Sequence, residues 1–314
     1  MTLYFDDDSH IPVPVTHTEP VASLLRSLAL ERVDENTYRG ESVVRVTPRV
    51  YGGQVQAQAV MAADDHVRRT MGLGENDRLA HSITGAFLRP GDINIPIDFQ
   101  VMDLHDGHSF STRTVIARQK DEIIFEARVS LQELQPGPSI KEEAPKDVPA
   151  PEEVPSSVDF FASLHNKIGN LQNACNGIDL RHVNGDVYVH PAKSREPRQY
   201  VWMRTRSRMP EGSSRTLQRA MLAYAADQIM LEPVMRGVGV SWMMPGVALA
   251  TLDHAIWWHR NFDISDWILA DMYSPSAQNG RGLGLAKFYQ DGRLIATMAQ
   301  EGMVRRNTER TIEQ

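Results

Sequence analysis

The sequence predicts an α+β protein made of two similar halves in tandem, each with one long helix and an antiparallel sheet. Three observations lead there. A long helical pattern followed by a run of strand patterns occurs twice, short motifs recur in the same order in both halves, and a proline- and glutamate-rich stretch separates them. At 314 residues the chain exceeds what one compact core usually holds. Strands in unbroken succession favour antiparallel pairing, and one helix per sheet favours a layered arrangement.

In the first half, Gly52-Gly53 precedes a helical stretch over 54–71, and extended segments follow at 80–88, 95–104, 109–119 and 123–134. Between 136 and 155 the chain carries Pro136, Pro138, Pro145, Pro149, Pro151 and Pro155, interleaved with Lys141, Glu142, Glu143, Glu152 and Glu153. Such a segment buries little apolar surface and reads as an extended, solvated linker that leaves each half its own sheet. A short helix is expected after it, capped by Ser156 or Ser157, with Phe160, Phe161, Leu164 and Ile168 on one face. The second half then repeats the order, with a helix over 216–235 and strands at 247–259, 267–273, 282–289 and 294–304. The expected organisation is an N-terminal domain over 20–135, a linker over 136–172 and a C-terminal domain over 173–308.

Local matches support duplication. Phe87-Leu88-Arg89-Pro90-Gly91-Asp92 resembles Trp258-His259-Arg260-Asn261-Phe262-Asp263, and Ala62-Ala63-Asp64 recurs as Ala225-Ala226-Asp227. Gln132-Glu133 ends the last strand of one half and Gln300-Glu301 that of the other. The second helix is apolar on all sides from Ala220 to Ala226, so it should be buried, as a curved sheet wrapped around it would achieve.

Charge and cysteine usage exclude several classes. A formal net charge of −7 argues against nucleic-acid binding and gives no reason to sit on an anionic membrane. The one cysteine, Cys175, cannot form an internal disulfide, and no partners at zinc-site spacing surround it. Residues Met1 to His10 are acidic and unlike a secretory signal, the final Thr311-Ile312-Glu313-Gln314 is not a peroxisomal address, and no apolar run is long enough to span a bilayer. A cytoplasmic protein without membrane insertion is expected.

Three residues stand out as chemistry. Asp227 follows seven apolar residues in the second helix, where an ionised carboxylate meets a desolvation cost unless something pairs with it. Asp64 is the weaker case, since Asp65, His66, Arg68 and Arg69 suggest that its helix is already reaching solvent. Gln300 falls on the apolar face of the last strand with Leu294, Ala296, Met298 and Val304, whereas Gln132 falls on the outward face of its own. Thr251 is a lone hydroxyl in the largely apolar Ala248-Leu249-Ala250-Thr251-Leu252, and Ala80 is its counterpart in the first half. Each has a structural reading too: a carboxylate satisfied by amides or an arginine, a core amide, a strand threonine.

Other candidates fail. His254 and His259 lie on opposite faces of one strand and cannot share a metal; Gly280, Gly282 and Gly284 resemble a nucleotide loop but precede a strand where a helix is required. No cofactor motif is present. The Trp257-Trp258 pair reads as core or subunit interface.

Taken together these residues resemble the type II acyl-CoA thioesterases. The resemblance is carried by Tyr51-Gly52-Gly53-Gln54, by His81 through Asp92, by Gly107 through Arg113 and by Ala225-Ala226-Asp227. In the second half it is carried by Leu252 through Arg260, Ser274 through Ala277, Gly280-Arg281-Gly282 and Ala299-Gln300-Glu301-Gly302. It covers about 20–306, except that 136–176 matches poorly. The resemblance implies a double hotdog fold, each half a central helix wrapped by an antiparallel sheet. It also implies a catalytic aspartate, hydroxyl and glutamine at Asp227, Thr251 and Gln300. Departures at Gln278-Asn279 and at Thr84-Gly85-Ala86 bear on the pocket or subunit contacts rather than on the chemistry.

The expected reaction is hydrolysis of fatty acyl-CoA, with Asp227 and Thr251 activating a water and Gln300 positioning it or donating to the carbonyl; direct attack by Asp227 through a mixed anhydride is the alternative the sequence does not separate from it. Arg281 and Lys287 are the expected contacts for coenzyme A phosphates, no cofactor is required, and a homo-oligomer is expected. The rivals are a hotdog hydratase, which needs an Asp/His pairing not matched here, and a non-catalytic acyl-CoA binding or sensing protein, which would not need all three residues.

Overall fold

The computed structural model describes residues 18–306; Met1 to His10, Thr311 to Gln314 and the end of the expected second domain, 307–308, lie outside the described residues. A short helix α1 (Val21–Leu28) and strands β1 (Glu31–Arg32) and β2 (Thr37–Gly40) precede α2 (Gly52–Met71), and β3 (Arg78–Phe87), β4 (Ile97–Asp106), β5 (Phe110–Gln119) and β6 (Glu122–Glu133) follow it. In the second half α3 (Ser157–Ser163), α4 (Lys167–Cys175), β7 (Ile178–His182) and β8 (Arg198–Thr205) lead to α5 (Arg215–Ala226) and α6 (Glu232–Val238). Strands β9 (Val247–Trp258), β10 (Ile268–Gln278), β11 (Arg281–Gln290) and β12 (Arg293–Arg306) complete it. The expected α+β class, a helix wrapped by an antiparallel sheet in each half, is the one observed.

The alternation read from the sequence is physical. Along β5 every second residue is buried, and the buried face packs on the helices. Residues Ala220 to Ala226 of α5 are all within 1% of complete burial, as an all-apolar helix requires. Strands β1, β2, β7 and β8 were not foreseen.

Two expectations are corrected. The halves do share a sheet: one twelve-stranded sheet runs β1-β2-β4-β5-β6-β3-β9-β12-β11-β10-β8-β7. Its seam is antiparallel pairing of β3 with β9, Ser82 opposite Trp257 through Ala86 opposite Asp253. The seam is symmetric about the Thr84–Ala255 pair, so the halves are related by a pseudo-twofold axis through it. Strand joining removes two edges that would otherwise present unpaired backbone groups. Trp258 is core, while Trp257 is 42% exposed.

The second long helix is also not continuous. It stops at Asp227, turns through 228–231 and restarts as α6 with Pro233 in its first turn. Proline has no N–H to bond the carbonyl four residues back, so a helix running through Ile229 cannot continue past Pro233. Asp227 is therefore at a helix end rather than mid-helix.

The linker is extended but held. Glu142 bonds Lys287 and Tyr289, Trp202 Nε1 donates to the Pro149 carbonyl at 2.9 Å, and Arg260 Nη2 donates to the Ile140 carbonyl at 2.9 Å. The helix expected next is two: Ser156 caps α3, accepting from the Val158 N–H, and Asn166 caps α4. Ile168 thus belongs to α4 and is exposed, not on a face with Phe161.

Glycines on β11 fix where the 228–231 turn and the start of α6 lie. A Cβ on Gly284 would overlap the Met230 carbonyl oxygen, and one on Gly282 would overlap Val234. The missing side chains let the turn lie directly on the sheet beside Gln300, which is the cross-strand partner of Gly284. Gly284→Ala should destabilise the fold by about 1–3 kcal/mol, because backbone must move to admit the methyl; urea denaturation measures it.

Candidate active site

Three elements bring Asp227, Thr251 and Gln300 together. The break after α5 presents the Asp227 side chain, whose residue is 7% exposed. The face of β12 that packs on the helices presents Gln300, 1% exposed. Strand β9 presents Thr251 on that same face only through a bulge at Leu252: Thr251 pairs with Gly302, Asp253 with Glu301, and His254 with Gln300. Without the extra residue, Thr251 and His254 would point to opposite faces.

The three form one chain of hydrogen bonds. Gln300 Nε2 donates to Thr251 Oγ1 at 3.0 Å, and Thr251 Oγ1 donates to Asp227 Oδ1 at 3.1 Å. Asp227 Oδ2 accepts from the Gly53 backbone N–H at 2.7 Å. That amide opens α2, so the carboxylate of the second half sits on the helix N-terminus of the first, where the helix dipole favours negative charge. A Cβ on Gly52 would lie 3.1 Å from Oδ2 and 3.0 Å from the edge of Phe87. Sequence reasoning did not assign the Gly53 amide; paired glycines opening a helix were the available signal, since they let another group approach the backbone.

Burial pushes the Asp227 carboxyl above its ordinary 3.8, against the Gln300 amide, the Gly53 N–H, the Thr251 hydroxyl and the nearby Arg45 guanidinium, which all favour its charge. The result is a carboxylate that is desolvated yet still anchored, which suits it to take and return a proton. Next to it, Gln300 Oε1 and both ring nitrogens of His254 have no hydrogen-bond partner among the described residues. His254 is stacked on Phe125, with ring centroids 5.8 Å apart, and burial lowers its pKa to about 3, so its ring is neutral. The arrangement can hold a small polar molecule and deprotonate it.

The first half lacks this set. Asp64 is buried, not solvated as expected, and burial raises its pKa to about 6. Its oxygens are taken by the Thr216 hydroxyl at 2.7 Å and Arg68 Nε at 3.0 Å. The register also corrects one motif match: Ile83 pairs with Val129 as His254 pairs with Gln300, so the counterpart of Gln300 is Val129, not Gln132. Ala80 does occupy the place of Thr251, each just before a bulge.

Arg281 and Lys287 lie elsewhere. Arg281 Nε is 3.2 Å from Glu301, and Lys287 Nζ is 2.8 Å from Glu142. Both pair with odd-numbered residues of β12, Met303 and Thr297, which puts them on the sheet face away from Gln300.

Comparison with known proteins gives two adjoining family matches: an acyl-CoA thioesterase N-terminal domain over residues 42–132 and an acyl-CoA thioesterase C-terminal domain over 143–304. The chain is 33% identical to acyl-CoA thioesterase 2 of Haemophilus influenzae, covering 90% of this chain and 97% of that one. It is 32% identical to human acyl-coenzyme A thioesterase 8, covering 88% and 87%. Among solved structures, an acyl-CoA thioesterase II from Mycobacterium marinum superposes with a TM-score of 0.70 at 30% identity, covering 91% of this chain and 98% of that one. A protein described as having a hot dog fold, from Alicyclobacillus acidocaldarius, superposes with a TM-score of 0.71 at 20% identity, covering 93% and 99%; it bears on the fold alone.

Proposed function

The chain belongs to the acyl-CoA thioesterase family, and on that premise we propose that it hydrolyses fatty acyl-CoA with a water activated by Asp227, Thr251 and Gln300. The observation that carries this is the hydrogen-bonded chain from Gln300 through Thr251 to a buried Asp227. In the reaction, ionised Asp227 takes a proton from water as the water oxygen attacks the thioester carbonyl carbon. The tetrahedral intermediate then collapses, the carbon–sulfur bond breaks, and Asp227 returns its proton to the coenzyme A thiolate. Gln300 Oε1, free among the described residues, accepts from the attacking water, and Thr251 keeps the carboxylate turned toward it. A non-catalytic acyl-CoA binding protein would have no use for this set.

Arg281 and Lys287, on the sheet face away from Gln300, contact coenzyme A phosphates in this reading only where the coenzyme A reaches round to that face and they leave Glu301 and Glu142, which exposed pairs worth under about 1 kcal/mol permit. A cytoplasmic setting fits the single cysteine, and among the described residues no helix is long and apolar enough to cross a membrane. Self-association is part of the proposal, and the exposed Trp257 and Tyr273 supply apolar surface for it.

Purified protein should release free thiol from acyl-CoAs; no release at any chain length would refute the reading. Two further results are expected. Thr251→Val should lose on the order of 10²–10³ in kcat/KM while Thr251→Ser keeps most of it, because only serine retains the donor to Asp227. The pH profile should show an acid limb. Asp227 works as its base form, and burial raises its pKa, so kcat/KM should climb with pH through a midpoint above 3.8 and then level. A limb at or below 3.8 would place the base elsewhere.

A further inference from the structure

The pseudo-twofold relation places one more polar side chain at the reacting centre. Thr216 of α5 bonds Asp64 as Gly53 of α2 bonds Asp227, so Thr216 and Gly53 are counterparts. Three residues on in each helix are Arg219 and Gln56. Arg219 Nη1 donates to the Ala80 carbonyl at 2.6 Å, and Ala80 is the counterpart of Thr251. Gln56 therefore faces the Thr251 end of β9, as Arg219 faces Ala80. The helix geometry agrees: Gln56 shares a face with Gly52, one turn earlier, which lies so close to the site that a Cβ on it would be 3.1 Å from Asp227 Oδ2, and helical side chains lean toward the N-terminus, so Gln56 leans toward Asp227.

Gln56 is fully buried, and neither Oε1 nor Nε2 has a hydrogen-bond partner among the described residues. A buried, unpaired amide is costly and calls for a partner, which a bound substrate can supply. Hydrolysis itself supplies two groups: the attacking water, which needs an acceptor, and the thioester carbonyl, which needs a donor. Gln300 Oε1 can serve the first and the neutral His254 ring, whose nitrogens are likewise unpaired among the described residues, can serve the second. That leaves the Gln56 amide, a donor and an acceptor side by side, with nothing to bind on a plain hydrocarbon chain.

We propose that Gln56 selects acyl groups bearing a hydroxyl close to the thioester, accepting from the hydroxyl at Oε1 and donating to its oxygen from Nε2. The inference rests on Asp227, Thr251 and Gln300 being the reacting centre. Its test compares kcat/KM for 3-hydroxyacyl-CoA and for the saturated acyl-CoA of equal length, at a short and a medium chain length. The native protein should favour the hydroxyacyl substrate by roughly tenfold or more, and Gln56→Leu should lower that ratio at least about tenfold, since a site built to bond a hydroxyl penalises its absence. A native ratio at or below one, or a ratio unchanged by Gln56→Leu, would overturn the assignment of Gln56. Should Gln56→Leu not fold, Gln56→Met and the native ratio decide in the same way. Hydrolysis of neither substrate would instead sink the reading of the reacting centre.

Discussion

Asp227→Asn should lower kcat/KM for acyl-CoA by about 10²–10⁴-fold, the usual contribution of a positioned general base. The asparagine keeps the shape of the site: its carbonyl oxygen can still accept from the Gly53 N–H, which now meets Asp227 Oδ2 at 2.7 Å. It also removes a charge that burial disfavours, so the variant should fold at least as well as the native protein. A loss of rate without loss of stability separates a chemical role from a structural one. Asp64→Asn is the matched control, because Asp64 is buried at the corresponding place yet bonded to Thr216 and Arg68 with no counterpart of Thr251 or Gln300 beside it. It should leave hydrolysis largely intact. Equal losses in both variants would mean that the two carboxylates serve the fold and not the reaction.

Gln300→Ala should cost on the order of 10²–10³ in kcat/KM, the range seen when one positioned group is removed from an active site, because it takes away both the Nε2 donor to Thr251 and the Oε1 acceptor for the water. Gln300→Glu is the more telling variant. It puts a second carboxylate at the position whose amide now stands 3.0 Å from Thr251 Oγ1. Two nearby carboxyl groups resist ionising together, so the Asp227 pKa should rise further. The acid limb of the pH profile should then move to higher pH, and activity near neutrality should fall below that of the native enzyme. Rate–pH profiles of the two variants test this; an unshifted limb in Gln300→Glu would mean that Gln300 does not neighbour the titrating base.

The strands of the large sheet were legible because one face of each is buried, and burial on one face writes a period of two into the sequence. Helix α2 was legible to within two residues at its start, and the apolar run of α5 announced its burial. The short strands β1, β2 and β7 carry too few residues for a period to show, whereas β8 alternates over its eight residues and had a pattern to be read. The break at Asp227 had a signal in Pro233, which was passed over because the apolar pattern runs on across it. The joined sheet had none: pairing between β3 and β9 depends on backbone groups, which no side-chain pattern reports.

The candidate site was legible by residue type and not by geometry. Asp227, Thr251 and Gln300 each broke an apolar pattern, which is what a polar group held in a core does. Their meeting depends on the Leu252 bulge, on the glycine floor beneath the 228–231 turn and on an amide from the opposite half. Each of these is a relation between distant segments. The mistaken pairing of Gln132 with Gln300 arose the same way, since likeness of letters does not fix register, and the register matches Gln300 with Val129.

Single-turnover hydrolysis in H₂¹⁸O, followed by mass analysis of the fatty acid and of the peptide carrying Asp227, bears most directly on the claim that water itself attacks the thioester. One heavy oxygen should appear in the released acid and none in the peptide. Heavy oxygen in the Asp227 peptide, or an acid formed without label, would mean that the carboxylate had bonded to the acyl carbon first.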